Sequence, residues 1–411
     1  MAGPGMDMIG EEEKREIQEV LDAGYLFRYG SADNPAFKAK VYNLEKAVAQ
    51  LVDVRYAVGV NSGTSALLVA LAGVGVGPGD EVIVPGYTYI ASIASIIWAR
   101  AVPILGEIDR TLNLDPADVR RKITPRTKAI IAVHMLGNPA RLDEIKAIAE
   151  EHKLYLIEDC AQAFGATYKG RMVGSIGDAG CFSFNANKTV TAGDGGMVVT
   201  SDENLYKRFF GIHDQGHMPL RMGLEIGQRP FVGMDFRLTE LQAAVLLAQL
   251  RKVDKMLSHL RANKQRFKVA LAGLPGIEFR EITSPEGECA TLLTVFFPNA
   301  QIAGLVAKEL KTKVMADSGW HVYANMEAVL EKRTVTVDGC PFTCPFYKGP
   351  EPKYWKGMLP QTDALLARAI NISIGVSDPG LGSAFGVTMR DGFDAVDARA
   401  QEFRRAALKY L

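Results

Sequence analysis

The length, composition and charge of this chain limit what kind of protein it can be. Its 411 residues suit one large domain joined to a smaller one. Hydrophobic residues make up 48% and charged residues 23%, which is the profile of an ordinary soluble protein. The 47 basic side chains are balanced by 47 acidic ones, so we expect no nucleic-acid partner, which would need a basic stripe.

The cysteines and the most apolar window exclude further classes. The five cysteines are sparse, and no secretory leader precedes them, which favours a reduced, cytoplasmic setting. Cys340 and Cys344 form a close pair, but without further Cys or His ligands they do not complete a zinc site, so we expect no metal. The apolar window 82–105 contains Pro85 and Arg100, so it is interpreted as strand, helix and strand rather than as a membrane span.

Apolar spacing predicts the elements in chain order. Two amphipathic helices, 9–23 and 36–52, come first. Short apolar runs then alternate with helical segments, which predicts strands at 56–60, 81–84, 102–105, 128–133 and 154–157 and helices at 64–74, 89–99, 116–122 and 142–152. Two strands, 181–184 and 196–200, follow in quick succession. A long helix, 239–267, then leads to a second part with strands at 277–280 and 291–297.

This order predicts an α/β protein with two domains. We expect a three-layer α/β/α large domain with a mostly parallel sheet, followed by a smaller α+β C-terminal domain. The change of pattern places the boundary near residue 253, so the domains span 1–253 and 254–411. The polar, glycine-containing segment 211–229 is the best candidate for a mobile loop.

Three polar motifs follow predicted strands. Asn61–Ser65 opens a helix, so its backbone N–H groups can bind a phosphate, although Ser62 can equally be a plain helix cap. Asp159 ends a buried strand, and Lys188 lies in the loop after the next one; singly, such an acid is often a cap and such a lysine is usually solvated. Because open α/β sheets bind ligands at the carboxyl ends of their strands, the combination indicates one site. The glycines of 73–79 do not complete a dinucleotide-binding fingerprint.

Five ordered motifs resemble the DegT/DnrJ family of pyridoxal-phosphate sugar aminotransferases, which have the fold-type I architecture. The motifs are Ser62-Gly63-Thr64, Pro85-Gly86-Tyr87-Thr88-Tyr89, Glu158-Asp159-Cys160-Ala161-Gln162-Ala163, Phe182-Ser183-Phe184 followed by Lys188, and Gly193-Asp194-Gly195-Gly196. The resemblance covers nearly the whole chain. It implies a pyridoxal 5'-phosphate enzyme that passes through a pyridoxamine 5'-phosphate form and works as a homodimer with shared active sites.

The resemblance also implies individual roles. Lys188 would form the Schiff base with the cofactor and then move the proton, and Asp159 would pair with the ring nitrogen. Gln162 would bind the phenolate oxygen and Tyr89 would stack on the ring. The phosphate would be bound by Ser62, Gly63, Thr64 and Ser183.

Two further positions bear on the site. Asp235 stands where the family usually has an Asn that reaches the cofactor phosphate across the dimer. A carboxylate there would repel the phosphate unless it were protonated or paired, and Arg237 is an available partner, so we expect Asp235 not to contact the phosphate directly. His134 is expected to be a hydrogen-bonded interior residue. His321 and Tyr323 resemble the segment that lines the family's sugar pocket, and they are the candidate substrate contacts.

The resemblance predicts a transaminase whose donor is L-glutamate or glutamine. Its acceptor would be a nucleotide-linked keto sugar, a cyclitol, or an 8-oxo-3,8-dideoxy-octulosonate. The segments 27–30 and 280–288 resemble enzymes that aminate the last of these. Two alternatives are a sugar dehydratase of the same family, which has histidine at the position of Lys188, and a non-catalytic binding protein on the same fold.

Overall fold

The computed structural model describes residues 3–31 and 33–411. Its strands are β1 (Tyr56–Val60), β2 (Glu81–Pro85), β3 (Val102–Gly106), β4 (Thr127–Val133), β5 (Tyr155–Asp159), β6 (Thr167–Tyr168), β7 (Arg171–Met172), β8 (Ala179–Ser183), β9 (Gly196–Thr200), β10 (Pro219–Leu220), β11 (Glu225–Ile226), β12 (Glu278–Phe279), β13 (Leu292–Phe296) and β14 (Ala369–Ser373). Its α-helices are α1 (Pro4–Asp7), α2 (Glu11–Ala23), α3 (Lys40–Val52), α4 (Gly63–Gly73), α5 (Ile90–Trp98), α6 (Pro116–Lys122), α7 (Leu142–His152), α8 (Glu203–His213), α9 (Glu240–Leu250), α10 (Val253–Leu271), α11 (Ala300–Glu309), α12 (Glu327–Leu330), α13 (Pro360–Ala367) and α14 (Phe393–Leu408).

Seven strands form one central sheet, in the order β1-β9-β8-β5-β4-β2-β3. Strand β9 runs antiparallel to both of its neighbours, and the other pairs in the sheet are parallel. Strands β2, β8 and β9 are buried along their whole length. Such strands are covered on both faces, which explains why they read as continuous apolar runs.

Helices cover the two faces of this sheet and create two hydrophobic cores. One core contains side chains of α3, α7, α9 and α10. The other contains side chains of α4, α5 and α8. The predicted α/β class and three-layer arrangement are therefore confirmed, and the apolar window 82–105 forms β2, α5 and β3 as expected. No helix among the described residues is long and apolar enough to span a membrane.

The C-terminal part contains the antiparallel sheet β12-β13-β14. The predicted boundary near residue 253 coincides with the start of α10, and it stays an interpretation. The single predicted helix 239–267 was wrong, because α9 and α10 are separated at Arg251 and Lys252. The ammonium of Lys252 lies 2.6 Å from the carboxylate of Glu13. The two residues are far apart in the sequence, so apolar spacing does not reveal this contact. The segment 211–229 contains the end of α8 and the short hairpin β10–β11.

Candidate active site

A cavity of about 630 Å³ lies at the carboxyl ends of the parallel strands. Its wall includes the end of β5, the residues that follow β1 and β2, and the loop after β8. Residues of the C-terminal part, among them Thr291 and Asp378, complete the lining. The cavity brings together the predicted residues Ser62, Gly63, Thr64, Tyr89, Asp159, Gln162, Ser183, Lys188 and His321.

The N-terminus of α4 forms an anion cradle in this cavity. Ser62 caps the helix, since its hydroxyl accepts a hydrogen bond from Ser65 N at 3.1 Å. A Cβ atom added to Gly63 would lie only 2.6 Å from the Cβ of Ser183, so this close approach requires glycine. The backbone N–H groups of Gly63 and Thr64 belong to the first turn of α4, where N–H groups have no hydrogen-bond acceptor within the helix. They are therefore available for a phosphate.

Asp159 is a buried carboxylate at the end of β5. Ser92 donates its hydroxyl to Asp159 Oδ2 at 2.7 Å, and the backbone N–H of Ala161 donates to Oδ1 at 3.1 Å. The hydroxyl of Thr88 lies 2.7 Å from that of Ser92, so a chain of hydroxyls supports the acid. Thr88 belongs to a motif noted in the sequence, but Ser92 was missed because it lies outside that motif, in the first turn of α5.

Lys188 occupies the loop between β8 and β9 and is half-buried on the cavity wall. Among the described residues, no carboxylate lies within ion-pair distance of its amine. Burial lowers the pKa of Lys188, and the negative charges of Asp159 and Asp378 oppose this shift only in part. The amine is therefore neutral more often than that of an exposed lysine.

Gln162, Tyr89 and His321 line the same cavity. Gln162 Oε1 accepts a hydrogen bond from Leu136 N at 3.0 Å, which assigns the amide so that its NH₂ group remains free to donate. The rings of Tyr89 and His321 lie 5.1 Å apart. His321 Nδ1 donates to the carbonyl of Gly380 at 3.2 Å, which leaves Nε2 as an acceptor. Burial, reinforced by the charge of Lys188, lowers the pKa of His321 to about 4, so its ring is neutral at neutral pH.

Tyr323 does not line the cavity, although the sequence suggested it as a substrate contact. Its side chain is fully buried. Its hydroxyl donates to Asp363 Oδ2 at 2.9 Å and accepts from the backbone N–H groups of Gly357 and Leu359 at 3.0 and 3.2 Å. Tyr323 therefore joins chain segments and does not contact the cavity. His321 and Tyr323 belong to one short aromatic segment. The sequence of that segment does not distinguish the residue that lines the cavity from the one that is buried between chain segments.

Asp235 also lies away from the cavity of its own chain. Its carboxylate pairs with Arg237 at 2.6 Å, the partner suggested by the sequence. Arg237 also pairs with the buried carboxylate of Asp214, whose other oxygen accepts from the hydroxyl of Tyr29 at 2.6 Å. The carboxylate of Asp235 is thus already engaged by a neighbour, although Arg237 is shared with Asp214.

His134, Glu158 and Cys160 lie behind the strand end, with their possible metal-ligand atoms within 4.8 Å of one another. His134 Nδ1 accepts from Ala140 N at 3.0 Å, so its Nε2 carries the proton donated to Glu158 at 3.1 Å. Glu158 also accepts three backbone N–H bonds from residues 174–177. Burial, together with the neighbouring acidic charges, raises the pKa of the Cys160 thiol well above its usual range. These groups are engaged with one another, as expected for an interior histidine.

The two segments that resembled octulosonate aminotransferases do not line the cavity. Arg28 is buried and pairs with Glu45 at 2.9 Å. Arg280 is buried and donates to the carbonyls of Thr111 and Met135 at 2.7 and 2.6 Å. In each segment the arginine makes internal contacts, while Phe27 is half exposed, so the resemblance to octulosonate aminotransferases stays a prediction.

Comparisons with known proteins give one consistent result. The model of the DegT/DnrJ/EryC1/StrS aminotransferase family matches residues 7–349. The chain is 46% identical over 266 residues to a GDP-perosamine synthase of Caulobacter vibrioides, covering 64% of this chain and 67% of the relative. It is 44% identical over 228 residues to an L-glutamine:2-deoxy-scyllo-inosose aminotransferase of Streptoalloteichus tenebrarius, covering 53% of each. The crystal structure of a 3-amino-5-hydroxybenzoic acid synthase superposes with a TM-score of 0.78 at 25% identity over the whole of both chains.

Proposed function

Because the chain belongs to the DegT/DnrJ/EryC1/StrS aminotransferase family and is a sugar aminotransferase, we propose that it works with pyridoxal phosphate held in this cavity. The amino group comes from L-glutamate or L-glutamine and is delivered to a keto or aldehyde carbon of a sugar-like acceptor. The observation that carries the proposal is that a single cavity holds Lys188, the buried carboxylate of Asp159 and the N-terminus of α4.

The chemistry of the donor groups fits this cofactor. The cradle at Gly63 is closed to a Cβ atom yet open to an anion, as a phosphate site requires. Asp159 offers a fixed carboxylate to a cationic ring N–H, and the free amide NH₂ of Gln162 offers a donor to a phenolate. Tyr89 is 43% exposed, so its face is available for stacking.

The chain's own residues account for binding and proton movement. Pyridoxal phosphate, when bound, supplies an electron sink for the carbon that carries the transferred nitrogen. Asp159 keeps positive charge on the ring nitrogen, and Ser92 together with Ala161 N fixes the direction of that carboxylate. The lowered pKa of Lys188 leaves its Nζ able to accept a proton and to return it to a neighbouring atom.

The chemical class of the acceptor is inferred from the relatives of the chain. We infer a nucleotide-linked keto sugar as the first choice, because the chain is 46% identical to a GDP-perosamine synthase. A cyclitol is the second choice, because it is 44% identical to a 2-deoxy-scyllo-inosose aminotransferase. The octulosonate has no support from the cavity. His321 Nε2 is the proposed acceptor of a hydrogen bond from a substrate hydroxyl.

A homodimer is part of the proposal. Apolar side chains that flank Asp235 are strongly exposed, with Val232 at 95%, Met234 at 59% and Phe27 at 50%. Strongly exposed apolar side chains of this kind favour a second copy of the chain as their cover. The cytoplasmic setting stays a prediction.

Spectroscopy of the purified enzyme tests the function. Pyridoxal phosphate added to the cofactor-free protein should produce a visible absorption band, and borohydride should then fix the cofactor's mass on Lys188. Lys188→Ala should abolish both signals. Lys169→Ala is the matched control, because Lys169 is exposed and pairs with Asp143 on the surface. A protein that ignores the cofactor would support the non-catalytic alternative.

Substrate identity follows from the same band. L-glutamate and L-glutamine should each be added, and the effective donor should bleach the band. A nucleotide-linked amino sugar, an aminocyclitol and 8-amino-3,8-dideoxy-octulosonate should then be added separately, since each is the amino product of one proposed acceptor. The product of the true acceptor should bleach the band, and the other two should not. If none does so while a sugar alone is dehydrated, the dehydratase alternative replaces the transaminase.

A further inference from the structure

The loop that carries Lys188 is held by a distant part of the chain. Residues 3–8, named here the N-terminal strap, lie against it. Gly3 N donates to the carbonyl of Ala186 at 3.4 Å, and Gly5 N donates to the carbonyl of Lys188 itself at 3.3 Å. The other backbone-to-backbone bonds of this loop are local, such as that from Lys188 N to Asn185 O at 3.0 Å, and Gln242 Nε2 of α9 donates to Asp194 O at 3.2 Å near its end.

The strap and the loop touch backbone to backbone. A Cβ atom at Gly3 would lie 2.3 Å from the carbonyl carbon of Asn187 and 2.8 Å from Lys188 N. A Cβ atom at Gly5 would lie 3.0 Å from the carbonyl oxygen of Thr189. Since backbone atoms cannot rotate away as a flexible side chain can, the position of Gly3 needs glycine for this contact, whereas at Gly5 the side chains of Gln249 and Thr191, both 2.9 Å away, would also have to shift.

The strap is itself fastened at several points. Gln249 Nε2 donates to Gly5 O at 3.2 Å. Lys252 Nζ donates to Met8 O at 2.9 Å. Asp7 pairs with Arg390 of the C-terminal part at 2.9 Å. These contacts link the Lys188 loop to the end of α9 and to the C-terminal part of the chain.

We propose that the N-terminal strap is a positioning element that fixes how deeply the amine of Lys188 stands in the cavity. This inference rests on the proposed function of Lys188. A long side chain on a loop with few regular backbone bonds does not hold a reacting atom to within an ångström unless its backbone is fixed from outside. The strap does this by binding the carbonyl of the lysine itself.

Depth in the cavity has a measurable consequence. Burial lowers the pKa of Lys188, and the charged or titratable groups that face it are Asp159, Asp378 and His321. When the strap is displaced, the loop can expose the half-buried amine further to water, and its pKa should rise toward that of an ordinary lysine. A merely structural strap would change stability without changing this value.

Competitive acetylation of the full-length, cofactor-free protein tests the proposal. Trace acetic anhydride is applied across a pH series, and mass spectrometry follows Lys188 with exposed Lys169 as internal reference. Gly3→Ala should raise the midpoint for Lys188 by about half a pH unit or more and leave Lys169 unchanged. Gly10→Ala is the matched control, since an added Cβ there meets nothing within 4 Å.

A second variant guards against misfolding. Gln249→Ala removes the donor to Gly5 O and should move the midpoint in the same direction by a smaller amount. If Gly3→Ala does not fold, Gln249→Ala decides alone. A wild-type midpoint in every folded variant, whatever happens to the melting temperature, overturns the proposal. Because the measurement needs no cofactor, it is separate from the borohydride test of the function.

Discussion

The contact between Gly63 and Ser183 allows the anion cradle to be tested by a single methyl group. In Gly63→Ala, the new Cβ would lie 2.6 Å from the Cβ of Ser183, about 0.8 Å closer than the 3.4 Å of ordinary contact. Gly63 begins α4, a position where alanine is otherwise favourable, so the cost comes from the clash. Overpacking of this kind costs about 1–3 kcal/mol. If that cost falls on the cradle, the Kd for pyridoxal phosphate should rise about 5- to 150-fold.

The assay is a titration of the cofactor-free protein by visible absorbance, accompanied by melting temperatures. Gly304→Ala in α11 is the control, because its added Cβ meets nothing within 4 Å, and it should keep the wild-type Kd. Adding Ser183→Gly to Gly63→Ala removes the clashing atom, so the double variant should lose less affinity than the two single losses predict. Wild-type affinity in Gly63→Ala, or strictly additive losses, would refute the reasoning.

Three further outcomes are expected. Asp235→Asn should leave the Kd for pyridoxal phosphate unchanged or lower, because the carboxylate is already paired; a large loss in the same titration would contradict this. Tyr323→Phe should cost about 1–3 kcal/mol in urea unfolding, because Asp363 loses its donor, while the cofactor Kd stays as in the wild type. Although burial acts to raise the pKa of Glu158, bonds from His134 and the backbone keep it below its ordinary value. Its stabilisation is therefore present at neutral pH and is lost as the pH falls below about 4.3, so Glu158→Gln should flatten the acid side of a stability profile; an unchanged slope would count against it.

The sequence predicted the sheet well, because its strands are signalled by local pattern. Strands such as β1 and β9 were predicted with the observed bounds, since a buried strand is a short apolar run between turns. The direction of β9 could not be predicted, because a fully buried strand has the same composition in either orientation. The break between α9 and α10 was missed for a related reason: apolar spacing continues through it, and it is the contact of Lys252 with Glu13 that marks it.

The cavity residues that belong to ordered sequence motifs were predicted. Asp159, Lys188 and the residues around Gly63 lie at strand ends, so their convergence follows from a parallel sheet. Ser92, which orients Asp159, was missed because it lies inside a helix. The strap was missed as well: its contacts with the Lys188 loop are made by backbone atoms and span about 180 positions, which no local pattern encodes.

Each of the two outermost strands of the central sheet, β1 and β3, has an edge position that is already occupied and cannot pair with another chain. On β1, Gly59 gives its N–H to Glu45 at 2.7 Å, and its carbonyl accepts from Arg28 at 3.4 Å. On β3, Pro103 has no N–H to offer, and its carbonyl accepts from the hydroxyl of Tyr354 at 2.8 Å. A buried ion pair such as Arg28–Glu45 is weak evidence for added stability. Its use here is protective: it occupies a strand edge that would otherwise recruit other unfolded or partly folded chains into aggregates.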